Sequence, residues 1–192
     1  VSRCYLNIMK HNYVEMIRDA NVYDVARKTP LDFASLLSQR LNNQIWLKRE
    51  DMQSVFSYKI RGAYNLMSSL TAAELAAGVV AASAGNHAQG VALSARKLRT
   101  KAIIVMPKTT PSIKIDAVFR LGGEVVLHGN SYDDASEYAK SLASERTLTF
   151  IPPYDHPLVI AGQGTVGLEI LEQANSEIDA IFVPVGGGGL VS

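Results

Sequence analysis

The pattern that most restricts this chain is an alternation, in which apolar runs of strand length take turns with longer stretches of helical periodicity. Gln44–Arg49, Val79–Ser83, Ala102–Met106, Glu124–Leu127, Thr147–Ile151 and Ala180–Val185 read as strands. The stretches at roughly 57–77, 86–98, 111–121, 131–146 and 157–174 read as helices. Runs that are apolar at every position need cover on both faces, and no tight-hairpin signature joins consecutive runs. The prediction is an α/β fold with a mostly parallel sheet and helices on both sides. Upstream, an amphipathic lead spans Tyr13 to Ala26, and Thr29-Pro-Leu-Asp-Phe-Ala-Ser-Leu-Leu37 reads as a capped helix with proline near its start.

Composition narrows the chemistry. With 47% hydrophobic residues in 192, the chain can bury a full core. Nineteen basic and eighteen acidic residues leave a net charge of +1 without charge runs, so neither nucleic acid nor an anionic membrane is an expected partner. A small-molecule substrate is expected instead. Apolar stretches such as Lys101–Pro107 are far shorter than the roughly 20 residues of a membrane span, and no signal-peptide pattern leads the chain. A single cysteine, Cys4, and the absence of a Cys/His cluster with ligand spacing predict a reducing, cytoplasmic setting and no metal.

In parallel-sheet folds ligands gather beyond the carboxyl ends of strands, which directs attention to glycine-rich segments that follow them. Ser83-Ala-Gly-Asn-His-Ala-Gln-Gly90 stands where a strand gives way to a helix, where backbone N–H groups and the helix dipole suit a carboxylate or phosphate. A tight turn capped by Ser83 or Asn86 would explain the same residues. Gly186 to Gly189 follow an apolar run directly and fit a backbone wrapped around a phosphate; a flexible linker is the plainer alternative. Ala161-Gly-Gln-Gly-Thr-Val-Gly167 matches the glycine spacing of a dinucleotide fingerprint, yet the acidic residue expected about 20 positions on is missing. It reads as packing near a helix start. Lys59 opens a helix in a run of apolar and small residues, where desolvation lowers an amine's pKa as Schiff-base chemistry requires; alone it would read as a surface lysine.

A helix-start lysine, a Ser-Ala-Gly-Asn-His turn and a Gly-Gly-Gly-Gly-Leu run, in that order, resemble the fold-type II pyridoxal-phosphate (PLP) enzymes. Among these the threonine dehydratases are the nearest resemblance, through Thr29-Pro-Leu31, Leu47-Lys-Arg-Glu-Asp51, Ser57-Tyr-Lys-Ile-Arg-Gly-Ala63, Val105-Met-Pro107, Lys114-Ile-Asp-Ala117, Phe150-Ile-Pro-Pro153 and Ile160-Ala-Gly-Gln-Gly-Thr165. The resemblance runs from about Val22 to the end of the chain. It implies a two-domain, tryptophan synthase beta-like fold, cut after the phosphate loop. A smaller α/β domain at 76–151 would be inserted between two pieces of a larger one, 1–75 and 152–192.

By resemblance, Lys59 condenses with the cofactor's aldehyde and later takes the Cα proton. Asn86 hydrogen-bonds the cofactor's 3′ oxygen, Tyr58 lies against its ring in place of the family's usual phenylalanine, and Gly186, Gly187, Gly188, Gly189 and Leu190 hold its phosphate. Ser83, Ala84, Gly85, Asn86 and His87 clamp the substrate carboxylate. The implied reaction is α,β-elimination from L-threonine, and from L-serine, in a homo-oligomeric enzyme (dimer or tetramer) of isoleucine biosynthesis; the Pro152-Pro-Tyr-Asp-His-Pro157 region favours the biosynthetic type. Serine racemase resembles the chain nearly as well, but that family places a serine where this chain has Ala84, which can donate no proton. A non-catalytic nucleotide-binding module would share the glycine loops and leave Lys59 unexplained.

Overall fold

The computed structural model describes residues 11–192, so Cys4 lies outside the described residues. Four strands form a parallel sheet: β3 (Val79–Ala82), β4 (Ala102–Met106), β5 (Glu124–Leu127) and β6 (Thr149–Phe150), in the order β5-β4-β3-β6. Every residue of β3 and β4 is buried, as their unbroken apolar sequences require of central strands. Strand pleating divides the core in two: Val79, Ala81, Ile104 and Met106 face one side, while Val80, Ala82, Ile103 and Val105 face the other.

Helix α5 (Asn86–Leu98) lies on the first side with α6 (Ser112–Arg120), and α7 (Tyr132–Arg146) covers the second. A capping box of Ser131 and Asp134 starts α7. Helix α3 (Lys59–Met67) packs against both α5 and α8 (Pro157–Gln173). These three helices place the site.

Four expectations need correction. The helix read over 57–77 is two helices, α3 and α4 (Ala72–Ala77), because Thr71 and Glu74 form a second capping box after the chain leaves α3 at Ser68. Leu31–Phe33 is strand β1 and not the opening of a helix; it pairs antiparallel with β2 (Trp46–Lys48), and the helix, α2, starts at Ser35. This antiparallel pair carried no tight-turn signature because its connection contains α2 (Ser35–Leu41). Ala180–Val185 forms no strand: a parallel strand needs a neighbouring ladder, no described strand pairs with it, and Phe182 is 94% exposed. The amphipathic lead yields α1 (Tyr13–Arg18) only, started by Asn12 accepting from the Glu15 N–H.

Candidate active site

Lys59 is the first residue of α3, immediately after Tyr58. Gly90 explains why α5 can cross α3 at this point, since a Cβ there would come within 3.2 Å of the Lys59 carbonyl oxygen and 3.3 Å of the Ile60 Cα. The Lys59 Nζ donates to the Pro153 carbonyl at 2.7 Å and stands 5.6 Å from the centre of the Tyr58 ring. Burial holds its amine below the ordinary lysine pKa and holds the Tyr58 hydroxyl above its own.

The Ser83–His87 turn joins β3 to α5. Ser83 N–H extends the sheet by donating to the Val105 carbonyl at 3.1 Å, and its hydroxyl accepts from Gly85 N–H at 3.2 Å. Ala84 and Gly85 are half-buried, and an added Cβ at Gly85 meets nothing within 4 Å. Asn86 opens the thirteen-residue α5 with an exposed side chain. His87 turns inward, and its Nε2 donates to the Ile151 carbonyl at 2.9 Å. Burial, reinforced by the nearby Lys59 charge and opposed by that hydrogen bond, pushes its pKa down to about 4, so the imidazole is neutral and its Nδ1 is an unpartnered acceptor.

The strand exit Ile151–Tyr154 is the hub of this arrangement. Ile151 holds His87, Pro153 holds Lys59, and Tyr154 lies beneath the glycine run. A Cβ at Gly187 would collide with the Tyr154 ring, and one at Gly189 would stand 2.9 Å from the Tyr154 Cα. Gly186 and Gly187 leave their backbone exposed, and Gly188 takes φ +92°, open to glycine at little cost. Leu190 is half-buried, and Val191 and Ser192 N–H groups return to the Gly188 carbonyl at 3.0 and 3.1 Å. Lysine, histidine and glycine run therefore meet on one segment, while Asn86 joins them through the first turn of α5.

Sequence reasoning missed that hub, because its acceptors are carbonyls and any residue type supplies one. It also missed a buried ionic cluster. Arg61 donates to Glu169 at 2.6 and 3.0 Å and to Glu50 at 2.8 Å twice. Glu169 also accepts from Lys48 at 2.5 Å and from the Tyr23 hydroxyl at 2.8 Å. Burial works against charge at both Arg61 and Glu169, yet these hydrogen bonds outweigh it, raising the guanidinium pKa and lowering the carboxylate's. The dinucleotide-like glycines lie inside α8, with no strand-turn-helix around them: Gly162 meets the backbone of Arg61 and Gly62, and Gly164 meets Ile17.

Among the described residues, no cluster of metal-ligating side chains occurs and no helix is long and apolar enough to cross a membrane. The chain is 61% identical over 180 residues to a biosynthetic chloroplastic threonine dehydratase of Arabidopsis thaliana, a match covering 94% of this chain and 30% of that one. It is 57% identical to a biosynthetic L-threonine dehydratase of Pasteurella multocida, covering 94% of this chain and 35% of the relative. Among solved structures, threonine deaminase isoform 2 of Solanum lycopersicum superposes with a TM-score of 0.90 at 55% identity, over 93% of this chain and 49% of that chain. Maize serine racemase gives 0.89 at 34% identity, over 93% and 54%. The chain thus spans about a third of its curated relatives. The model of the family described as "Pyridoxal-phosphate dependent enzyme" matches residues 22–192, and the chain belongs to that family.

Proposed function

We propose that the protein is a PLP-dependent threonine ammonia-lyase, which converts L-threonine to 2-oxobutanoate and ammonia by α,β-elimination in isoleucine biosynthesis and also accepts L-serine. The observation that carries this reading is the half-buried Lys59 amine, depressed in pKa and oriented by the Pro153 carbonyl. The groups around it fit a phosphorylated aldehyde: an amine for the aldehyde carbon, and exposed glycine backbone at Gly186 and Gly187 for the phosphate. Bound there, the cofactor would supply an electron sink for the pair released at Cα.

The chain's own residues do the rest. Lys59 would hold the cofactor and, its amine pKa lowered by burial, takes the Cα proton. Asn86 would meet the cofactor's 3′ oxygen, Tyr58 would line its ring, and Gly186, Gly187, Gly188, Gly189 and Leu190 would hold the phosphate. Ser83, Ala84, Gly85, Asn86 and His87 bind the substrate carboxylate through the positive end of α5. Because His87 is neutral, that grip relies on backbone dipoles and adds no side-chain cation. The parallel sheet lies within 79–150, which supports assigning 76–151 to a smaller domain and 1–75 with 152–192 to part of a larger one. A cytoplasmic location and a homo-oligomeric state belong to the same reading.

The test is borohydride reduction of the full-length protein followed by peptide mapping, with threonine and serine turnover measured alongside. A reduced adduct on Lys59 and ammonia release from threonine are the expected results; an adduct on a different lysine refutes the assignment. Ala84 favours elimination over racemisation, so L-serine should yield pyruvate faster than D-serine.

A further inference from the structure

The first turn of α3 departs from α-helical bonding. The Tyr58 carbonyl accepts from Arg61 N–H at 2.9 Å, three residues on, and Gly62 N–H donates instead to the Gln163 Oε1 of α8 at 3.1 Å. An α-helix would direct Gly62 N–H to the Tyr58 carbonyl. The tight turn is therefore completed by a side chain from another helix. Gln163 is 1% exposed, its Nε2 has no partner, and Gly162 beside it lies against the Gly62 backbone.

We propose that Gln163 is a positioning residue for Lys59, selecting the three-residue first turn that aims the amine at the Pro153 carbonyl. This deepens the proposed function and rests on its assignment of Lys59. Removing the Gln163 acceptor leaves Gly62 N–H to the Tyr58 carbonyl, the acceptor that α-helical bonding assigns to it. Taking it unwinds the tight turn and rotates Tyr58 and Lys59 about the helix axis. An orphaned buried N–H is the alternative, and its cost drives the rotation. The amine then loses its carbonyl partner and part of its burial, and its pKa returns toward the ordinary lysine value. The segment that imitates a dinucleotide fingerprint acquires a purpose here: glycine at 162 brings α8 close enough for residue 163 to reach.

The experiment is labelling of full-length protein, stripped of bound PLP beforehand, with pyridoxal and borohydride across a pH series, with modification at Lys59 read by mass spectrometry and thermal unfolding recorded in parallel. Gln163→Met removes the acceptor at similar volume, Gln163→Asn withdraws it by one methylene, and Gln163→Glu retains it. The expected result is a Lys59 labelling midpoint shifted upward in Gln163→Met, cutting labelling at about pH 8 by roughly threefold, with Gln163→Glu restoring the midpoint at least in part. Gln163→Asn should act like Gln163→Met and serves if that variant does not fold. A folded acceptor-free variant with the original midpoint overturns the positioning role. Unsubstituted protein that is not labelled at Lys59 overturns the cofactor assignment itself, so the two failures are told apart.

Discussion

The guanidinium of Arg61 and the carboxylate of Glu169 are both fully shielded from solvent, and they meet through two hydrogen bonds at 2.6 and 3.0 Å. Arg61 lies two residues after Lys59 and Glu169 lies in α8, so the pair ties the lysine's helix to its neighbour. Breaking a buried pair on one side leaves an uncompensated charge. Glu169→Gln should therefore destabilise the protein by about 3–5 kcal/mol in urea unfolding. Replacing Lys48, Arg61, Glu50 and Glu169 together with apolar residues of similar volume, which leaves no charge of the cluster unpaired, should recover most of that loss. If Glu169→Gln unfolds at the original urea concentration, the cluster contributes nothing.

Lys59→Ala should eliminate visible absorbance in the purified full-length protein and reduce threonine turnover by about a thousandfold or more. Steady-state ammonia release checks it. Lys48→Ala, by contrast, should lower stability before it lowers turnover, because Lys48 bonds Glu169, Gln173 and the Thr29 carbonyl and makes no contact with Lys59.

The glycine run should respond unequally to alanine. At Gly186 an added Cβ meets nothing within 4 Å, and Gly186→Ala should leave the fold unchanged. At Gly187 it meets the Tyr154 ring, so Gly187→Ala should weaken PLP affinity by about tenfold, and adding Tyr154→Ala should restore part of it. At Gly189 the obstacle includes the Tyr154 backbone, so the same second substitution should not help. Fluorescence titration of PLP into the five variants measures this order.

His87 makes stability depend on pH. Its folded pKa of about 4 lies below the ordinary 6.5, so below 6.5 the unfolded chain binds a proton that the folded one refuses. The contribution of the neutral imidazole is complete above that value and is lost as pH falls from 6.5 toward 4, to a total of roughly 3 kcal/mol. Urea midpoints collected between about pH 7 and pH 5 should fall, and His87→Gln, which does not titrate, should flatten that part of the curve. An equal slope in both proteins would show that other groups cause it.

The elements that read most clearly are those whose neighbours are local and apolar. Ala102–Met106, Glu124–Leu127 and the helix at 86–98 occur at the boundaries that pattern and flanking residues indicate. Ala180–Val185 is just as apolar, yet a strand is a property of pairs, and no described strand lies beside it. β1 was hidden because Thr29-Pro30 resembles a helix start, whereas Leu31–Phe33 is fixed by pairing with Trp46–Lys48. At the candidate site, Lys59, the Ser83–His87 turn and the glycine run declare themselves by residue type. The Ile151 and Pro153 carbonyls and the Gly62 N–H do not, since backbone groups leave no mark in a sequence. Arg61 and Glu169 mislead for another reason: charges are ordinarily solvated, and only the fold shows these two meeting inside.

The Ile151 and Pro153 carbonyls that hold His87 and Lys59 are two positions apart on one strand exit. Pro152 and Pro153 restrict the backbone between strand and bend, so the spacing of the two carbonyls is fixed and insertions must respect it. One extra residue between the two carbonyls would turn one of them away, and the chain could keep its imidazole anchored or its amine aimed, but not both.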